Sequence, residues 1–130
     1  MNKLNETVSK LKAYVGEDQE EKVLREKFNQ LNPIFKEIDK QFEKPSKKEH
    51  LVCWSDDRKF IEIENTCLEF SLNQKNNVIE VNKIVNSHST KSIDEIGLKG
   101  EELYCKKREE NFTEDVFNDF LNEAFVEILG

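Results

Sequence analysis

Leu4, Val8, Leu11 and Val15 recur at spacings of four, three and four, which puts them on one face of a helix. A helix over residues 3–15 follows, with Gly16 placed for a left-handed C-terminal cap. A longer stripe runs through Leu24, Phe28, Leu31, Phe35, Ile38 and Phe42. It keeps the same alternation of four and three and predicts a helix over 18–43. Pro33 removes a backbone donor and disfavours helical angles at Asn32, so the helix must kink or restart there. The unbroken register favours a kink. The stripe suits a core face; its other use would be a weak homodimer seam in an otherwise monomeric protein.

After the basic connector Lys44-Pro45-Ser46-Lys47-Lys48 the apolar period changes from about 3.6 to 2. Ile61 and Ile63 alternate with Phe60, Glu62 and Glu64, and Leu68, Phe70 and Leu72 alternate with Cys67, Glu69 and Ser71. These are half-buried strands, about 59–64 and 67–73. A two-residue turn at Asn65-Thr66 would set Ile63 opposite Leu68 and Ile61 opposite Phe70. A further turn at 74–77 leads into a strand over 77–85, pairing Leu72 with Ile79 and Phe70 with Val81. Upstream, residues 50–55 make a strand turning at Asp56-Asp57, with either Cys53 or Trp54 on the inner face. Residues 86–100 read as a long loop holding a helical turn, since Ser92-Ile93-Asp94-Glu95 has the capping-box pattern and Gly97 a stop. A fifth strand is expected over 102–108. Phe112, Thr113 and Phe117 then form a hydrophobic staple around an N-cap, opening a helix over 114–129. Its apolar face is set against a purely acidic one of Asp119, Glu123 and Glu127.

This order predicts one α+β domain over residues 1–130. An antiparallel meander of about five strands carries the N-terminal helices and the C-terminal helix on one face. Composition agrees: Leu, Ile, Val and Phe are 38 of 130 residues, above the roughly 20% below which chains rarely collapse. The longest apolar run, Leu51 to Trp54, is far short of the ~20 residues that span a bilayer, and no apolar leader segment opens the chain. The cytoplasm is the default, and Cys53, Cys67 and Cys105 fit reduced thiols better than a disulfide framework.

Charge divides unevenly. Residues 1–48 sum to +2 and residues 49–130 to −9, which argues against nucleic acid or anionic lipid and for a basic partner.

The Lys/Glu-rich N-terminal helix, Phe60-Ile61-Glu62-Ile63-Glu64, and the closing Phe112-Thr113-Glu114-Asp115-Val116-Phe117 resemble small uncharacterised proteins of bacilli assigned to a domain of unknown function. The likeness covers nearly the whole chain. It implies a bacterial source and brings no activity or site residues with it.

Gly-rich phosphate loops, H-E-x-x-H, C-x-x-C and nucleophile-elbow motifs are all missing, which lowers the expectation of an enzyme. No catalytic residue, metal or cofactor is singled out. His50, Cys53 and Cys67 lack a fourth zinc ligand, and nothing local lowers a pKa for Cys53 or Cys105 beside His88. The informative surface is the sheet face turned from the helices, where Phe60, Glu62, Glu64, Glu69 and Glu80 gather and Glu62 would oppose Glu69. Like charges opposed across strands cost stability. The face is either merely solvated or a binding surface, with Trp54 joining it as an anchor or packing in the core.

The resulting expectation is a non-enzymatic acidic protein-binding module, of inhibitor or immunity type, whose sheet face or terminal helix meets a basic protein. The alternative is a small-ligand sensor or enzyme with a pocket walled by Phe35, Phe42, Phe70 and Phe120.

Overall fold

A computed structural model describes residues 2–15, 19–42 and 47–130. The Gly16 cap and the connector at positions 44–46 lie outside the described residues. Helices α1 (Asn2–Val15), α2 (Gln19–Asn29) and α3 (Asn32–Gln41) precede the sheet. Among the described residues the sheet has seven strands rather than five. They are β1 (His50–Trp54), β2 (Arg58–Ile63), β3 (Thr66–Asn73), β4 (Val78–Val85), β5 (Ser89–Lys99), β6 (Glu102–Cys105) and β7 (Glu110–Asn111). Helices α4 (Glu114–Ala124) and α5 (Val126–Leu129) close the chain. The strands lie in chain order, each antiparallel to the next, as an open meander.

At Pro33 the helix restarts instead of kinking. The stripe keeps its register, yet Gln30 and Leu31 form a turn and α3 starts afresh with Pro33 in its first turn, where a missing donor costs nothing. Leu24, Phe28, Leu31 and Phe35 are all buried, so this part of the stripe belongs to the core of its own chain, while Ile38 and Phe42 pack against it half-buried.

Residues 89–99 form a strand, not a loop with a helical turn. Val81 faces Asp94 while Asn82 faces Ser92, leaving Ile93 as an extra bulged residue. A bulge turns two successive side chains to one side, so Ile93 and Ile96 both reach the core at a spacing of three that imitates helical periodicity. The expected strand over 102–108 is cut at Cys105, because residues 106–109 turn and Glu109 takes a left-handed φ of 59°. Asp94 pins that turn: its Oδ1 accepts the Lys107 N–H at 2.9 Å and the Glu95 N–H at 2.7 Å.

The β2–β3 turn is Glu64-Asn65, with Glu64 at φ 53°, and Thr66 joins the strand as a β-branched residue should. The register therefore moves by two residues from the expected one: Ile61 faces Leu68 and Lys59 faces Phe70. The shift is even, so no side chain changes face. Between β3 and β4 the expected pairs Leu72 with Ile79 and Phe70 with Val81 are observed.

Phe70 on β3 marks the covered face. Its ring meets Phe35 of α3 edge-on at 5.7 Å, and lies 5.6 and 6.1 Å from Phe117 and Phe120 of α4. Both helices thus sit on the same side of the sheet. Thr113 caps α4 by accepting the Val116 N–H at 3.3 Å, and Glu114 and Asp115 occupy its first turn, as the macrodipole favours. The expected continuous helix to 129 breaks at Phe125, whose φ of −110° and ψ of 28° leave the helical region. Helix α1 departs from the expected packing: Leu4, Val8 and Leu11 remain 60%, 51% and 57% exposed.

Candidate functional site

Strand alternation fixes what each sheet face presents. Val52 and Trp54 on β1 pair with Ile61 and Lys59, and Trp54 packs against the core. Trp54 therefore belongs to the covered face and is no anchor on the open one, while Cys53 points outward. His50 also lies on the covered face, its ring edge-on to Phe42 at 5.0 Å. The sheet thus separates His50 from Cys53 and Cys67. His88 sits exposed in the β4–β5 turn, away from the fully buried Cys105. Burial pushes the Cys67 and Cys105 thiols up to about 12, the opposite of what a nucleophile needs.

On the open face, Glu62, Glu69, Glu80 and Glu95 step diagonally from β2 to β5. Glu62 faces Cys67, Glu69 lies between Phe60 and Asn82, and Glu80 lies between Ser71 and Glu95. The expected Glu62–Glu69 opposition is therefore replaced: the two-residue shift sets Cys67 and Phe60 opposite them. The like-charge pair that does form is Glu80–Glu95. Glu95 escaped the sequence reading because its segment resembled a helix start; only the bulged register brings it here. Glu64 sits in the turn, exposed and off the diagonal.

A counterweight is built into the face. Arg58 lies 4.3 Å over the Phe60 ring and forms an ion pair with Glu69. Phe60 is only 8% exposed, a covered platform and not a free aromatic anchor. The Glu69 contact holds the guanidinium pKa above its ordinary value against the lowering effect of burial. Asn73 Nδ2 donates to Glu80 Oε1 at 3.2 Å; Glu80 and Glu95 are half-buried. Among the described residues no group of His, Cys, Asp or Glu has the arrangement to hold a metal ion.

The terminal helices are less acidic in effect than their sequence implies. Arg108 pairs with Asp119 at 2.7 Å, and Lys83 with Glu127 at 2.8 Å. The hydrogen bond from Lys83 holds the Glu127 carboxyl below its usual range. Glu123 is exposed.

Sequence reasoning also missed Lys59, which is fully buried on the covered face. Its ammonium donates to the Ser55 carbonyl at 2.8 Å and to Asn29 Oδ1 at 3.4 Å, and lies 4.1 Å over the Phe28 ring. Desolvation by burial lowers its pKa. Its alternation with Ile61 and Ile63 was the available signal. The arrangement ties the C-terminal end of α2, where the macrodipole favours a cation, to the β1–β2 hairpin.

Among the described residues no helix is long and apolar enough to cross a membrane. No curated protein and no solved structure matches the chain. A family model described as protein of unknown function (DUF3942) matches residues 4–129, nearly the full length and both faces of the sheet, and so the chain belongs to the DUF3942 family.

Proposed function

We propose that this protein is a non-enzymatic, cytoplasmic binding domain of a bacillus, of inhibitor or immunity type, that receives a basic surface of another protein on its open sheet face. The Glu80–Glu95 pair carries the reading. Two carboxylates held opposite each other across adjacent strands repel, and the Arg58 guanidinium on this diagonal is engaged by Glu69. A cationic side chain from a partner would relieve that repulsion and gain charge-assisted hydrogen bonds. The aromatic packing supports the same reading over a ligand pocket. Of the rings expected to wall a cavity, Phe35–Phe70 and Phe70–Phe120 are in contact at 5.7 and 6.1 Å, and Phe42 lies against His50.

The test is affinity capture from lysate of the source cells with the wild type and with the triple variant Glu62→Gln, Glu80→Gln, Glu95→Gln. A basic protein retained by the wild type at low salt, released at high salt and lost by the folded variant is the expected result. Equal retention by both chains, or binding indifferent to salt, would overturn it.

A further inference from the structure

Two amphipathic stripes with the same spacing meet different fates in this molecule. The one shared by α2 and α3 is buried from Leu24 to Phe35, whereas α1 leaves Leu4, Val8 and Leu11 more than half exposed. An aliphatic face of this kind, ordered as a helix of 14 residues, gains by meeting another apolar surface. The rest of the molecule offers one of matching character. Between α3 and α4 runs an open groove of about 370 Å³ whose floor includes Ile34, Ile38, Phe117 and Leu121, and whose charged lining residues are the carboxylates Glu37 and Glu114. Ile34 and Ile38 are one turn apart on α3, and Phe117 and Leu121 one turn apart on α4. Each helix thus lends the groove a pair of apolar side chains one turn apart, a wall against which a third helix can lie.

Charge selects the occupant. Helix α1 carries Lys3, Lys10 and Lys12 against the single Glu6, a net +2, while the remainder of the chain carries −9. We propose that α1 of one copy of this chain seats its Leu4–Val8–Leu11 stripe in the α3–α4 groove of a second copy, with its lysines against Glu37 and Glu114, and that the exchange is reciprocal and closes a two-fold dimer. The exposure of the stripe on its own chain places the seat in another molecule. Reciprocity buries two stripes instead of one and leaves no open groove for further growth. An anionic membrane would attract the lysines of α1 but repel the −9 body attached to it, so a second copy is the better-matched surface. This inference is independent of the open-face binding reading, because it uses the opposite side of the molecule.

Light scattering of the full chain over a concentration series tests it, with circular dichroism as the folding control. The wild type should pass from monomer to dimer as concentration rises. Val8→Glu, at an exposed position, should weaken association about tenfold or more while leaving the circular dichroism spectrum unchanged. The groove variant Glu37→Lys with Glu114→Lys should do the same, and combining it with Lys10→Glu and Lys12→Glu should restore dimerisation. A wild type monomeric at every concentration overturns the proposal. So does a dimer indifferent to both variants. Hydrogen exchange that finds residues 4–11 protected in a monomer would assign the groove to the chain's own α1 and overturn the second copy. Binding to anionic vesicles by a chain that stays monomeric in solution would overturn it in favour of a lipid surface.

Discussion

The two faces of the sheet share the same strands and differ in what holds them. On the covered face, Ile61, Leu68, Phe70, Ile79 and Val81 are at most 1% exposed, and the helices complete a core whose stability comes from area removed from water. On the open face, Phe60 and Cys67 are also nearly buried, at 8% and 4%, though Glu62, Glu69 and Arg58 stand among their neighbours beside Cys53 and Ile84. Burial there comes from neighbours on the sheet itself: the Arg58 guanidinium roofs the Phe60 ring. Low exposure alone therefore does not identify a hydrophobic core; the chemistry of the covering atoms does.

The largest effect should come from the covered face. Phe70→Ala removes a ring that packs on both α3 and α4 and should cost about 3–5 kcal/mol in denaturant unfolding, a loss that Glu69→Ala on the same strand should not approach.

Next comes alkaline titration, which involves one thiol from each face. The folded state raises the Cys67 and Cys105 values from 9.0 to about 12, so above pH 9 the unfolded chain releases protons that the folded chain keeps. Their contribution is intact below pH 9 and falls as pH climbs toward 12, by about 1.4 kcal/mol per pH unit for each thiol. Replacing Cys67 by Ala should flatten that fall by one thiol's share in melts recorded across the window.

Removing the cap with Thr113→Ala should lower stability by about 1 kcal/mol, read from the same denaturation curves. On the open face the sign should reverse. Glu80→Gln or Glu95→Gln relieves a like-charge pair and should raise stability by about 0.2–1 kcal/mol, most clearly at low salt. A destabilising result would show that the pair is structural.

The smallest signal is a slope. Lys59 is lowered from 10.5 by burial, so just below that pH the unfolded chain binds more protons. The wild type should gain on Lys59→Met as pH rises toward 10.5, measured as a difference of midpoints.

Where the sequence repeats a simple period, the structure was legible in it. Ile61 to Leu72 alternate, so their shared face was readable even with the β2–β3 turn misplaced, because a two-residue slip preserves facing. The cap at Thr113 and the stripe from Leu24 to Phe35 were equally plain. Legibility failed where one residue breaks the period. Ile93 is bulged, and its spacing to Ile96 mimics a helix, which concealed β5 and with it Glu95. The short β7 was hidden because a left-handed Glu109 carries no glycine to announce the turn. The open face was recognisable as acidic from Glu62, Glu69 and Glu80, yet which pair stood opposed depended on registers set by Glu64 and by the bulge. Nothing in residues 2–15 distinguishes a helix that packs from one that stands free, since amphipathicity records a need for a partner and not its source.

The strand order also bears on synthesis. Each strand pairs with the one translated just before it, so the sheet can zip up from β1 to β7 with little loop-closure entropy as the chain emerges. The roof over Phe70, however, includes α4, which leaves the ribosome only after every described strand of the sheet. Until about residue 125 is free, the nascent sheet carries an aromatic patch covered on the α3 side alone. A ribosome stalled before the Thr113 cap would display a paired but half-roofed intermediate, the stage at which chaperone engagement or aggregation should concentrate.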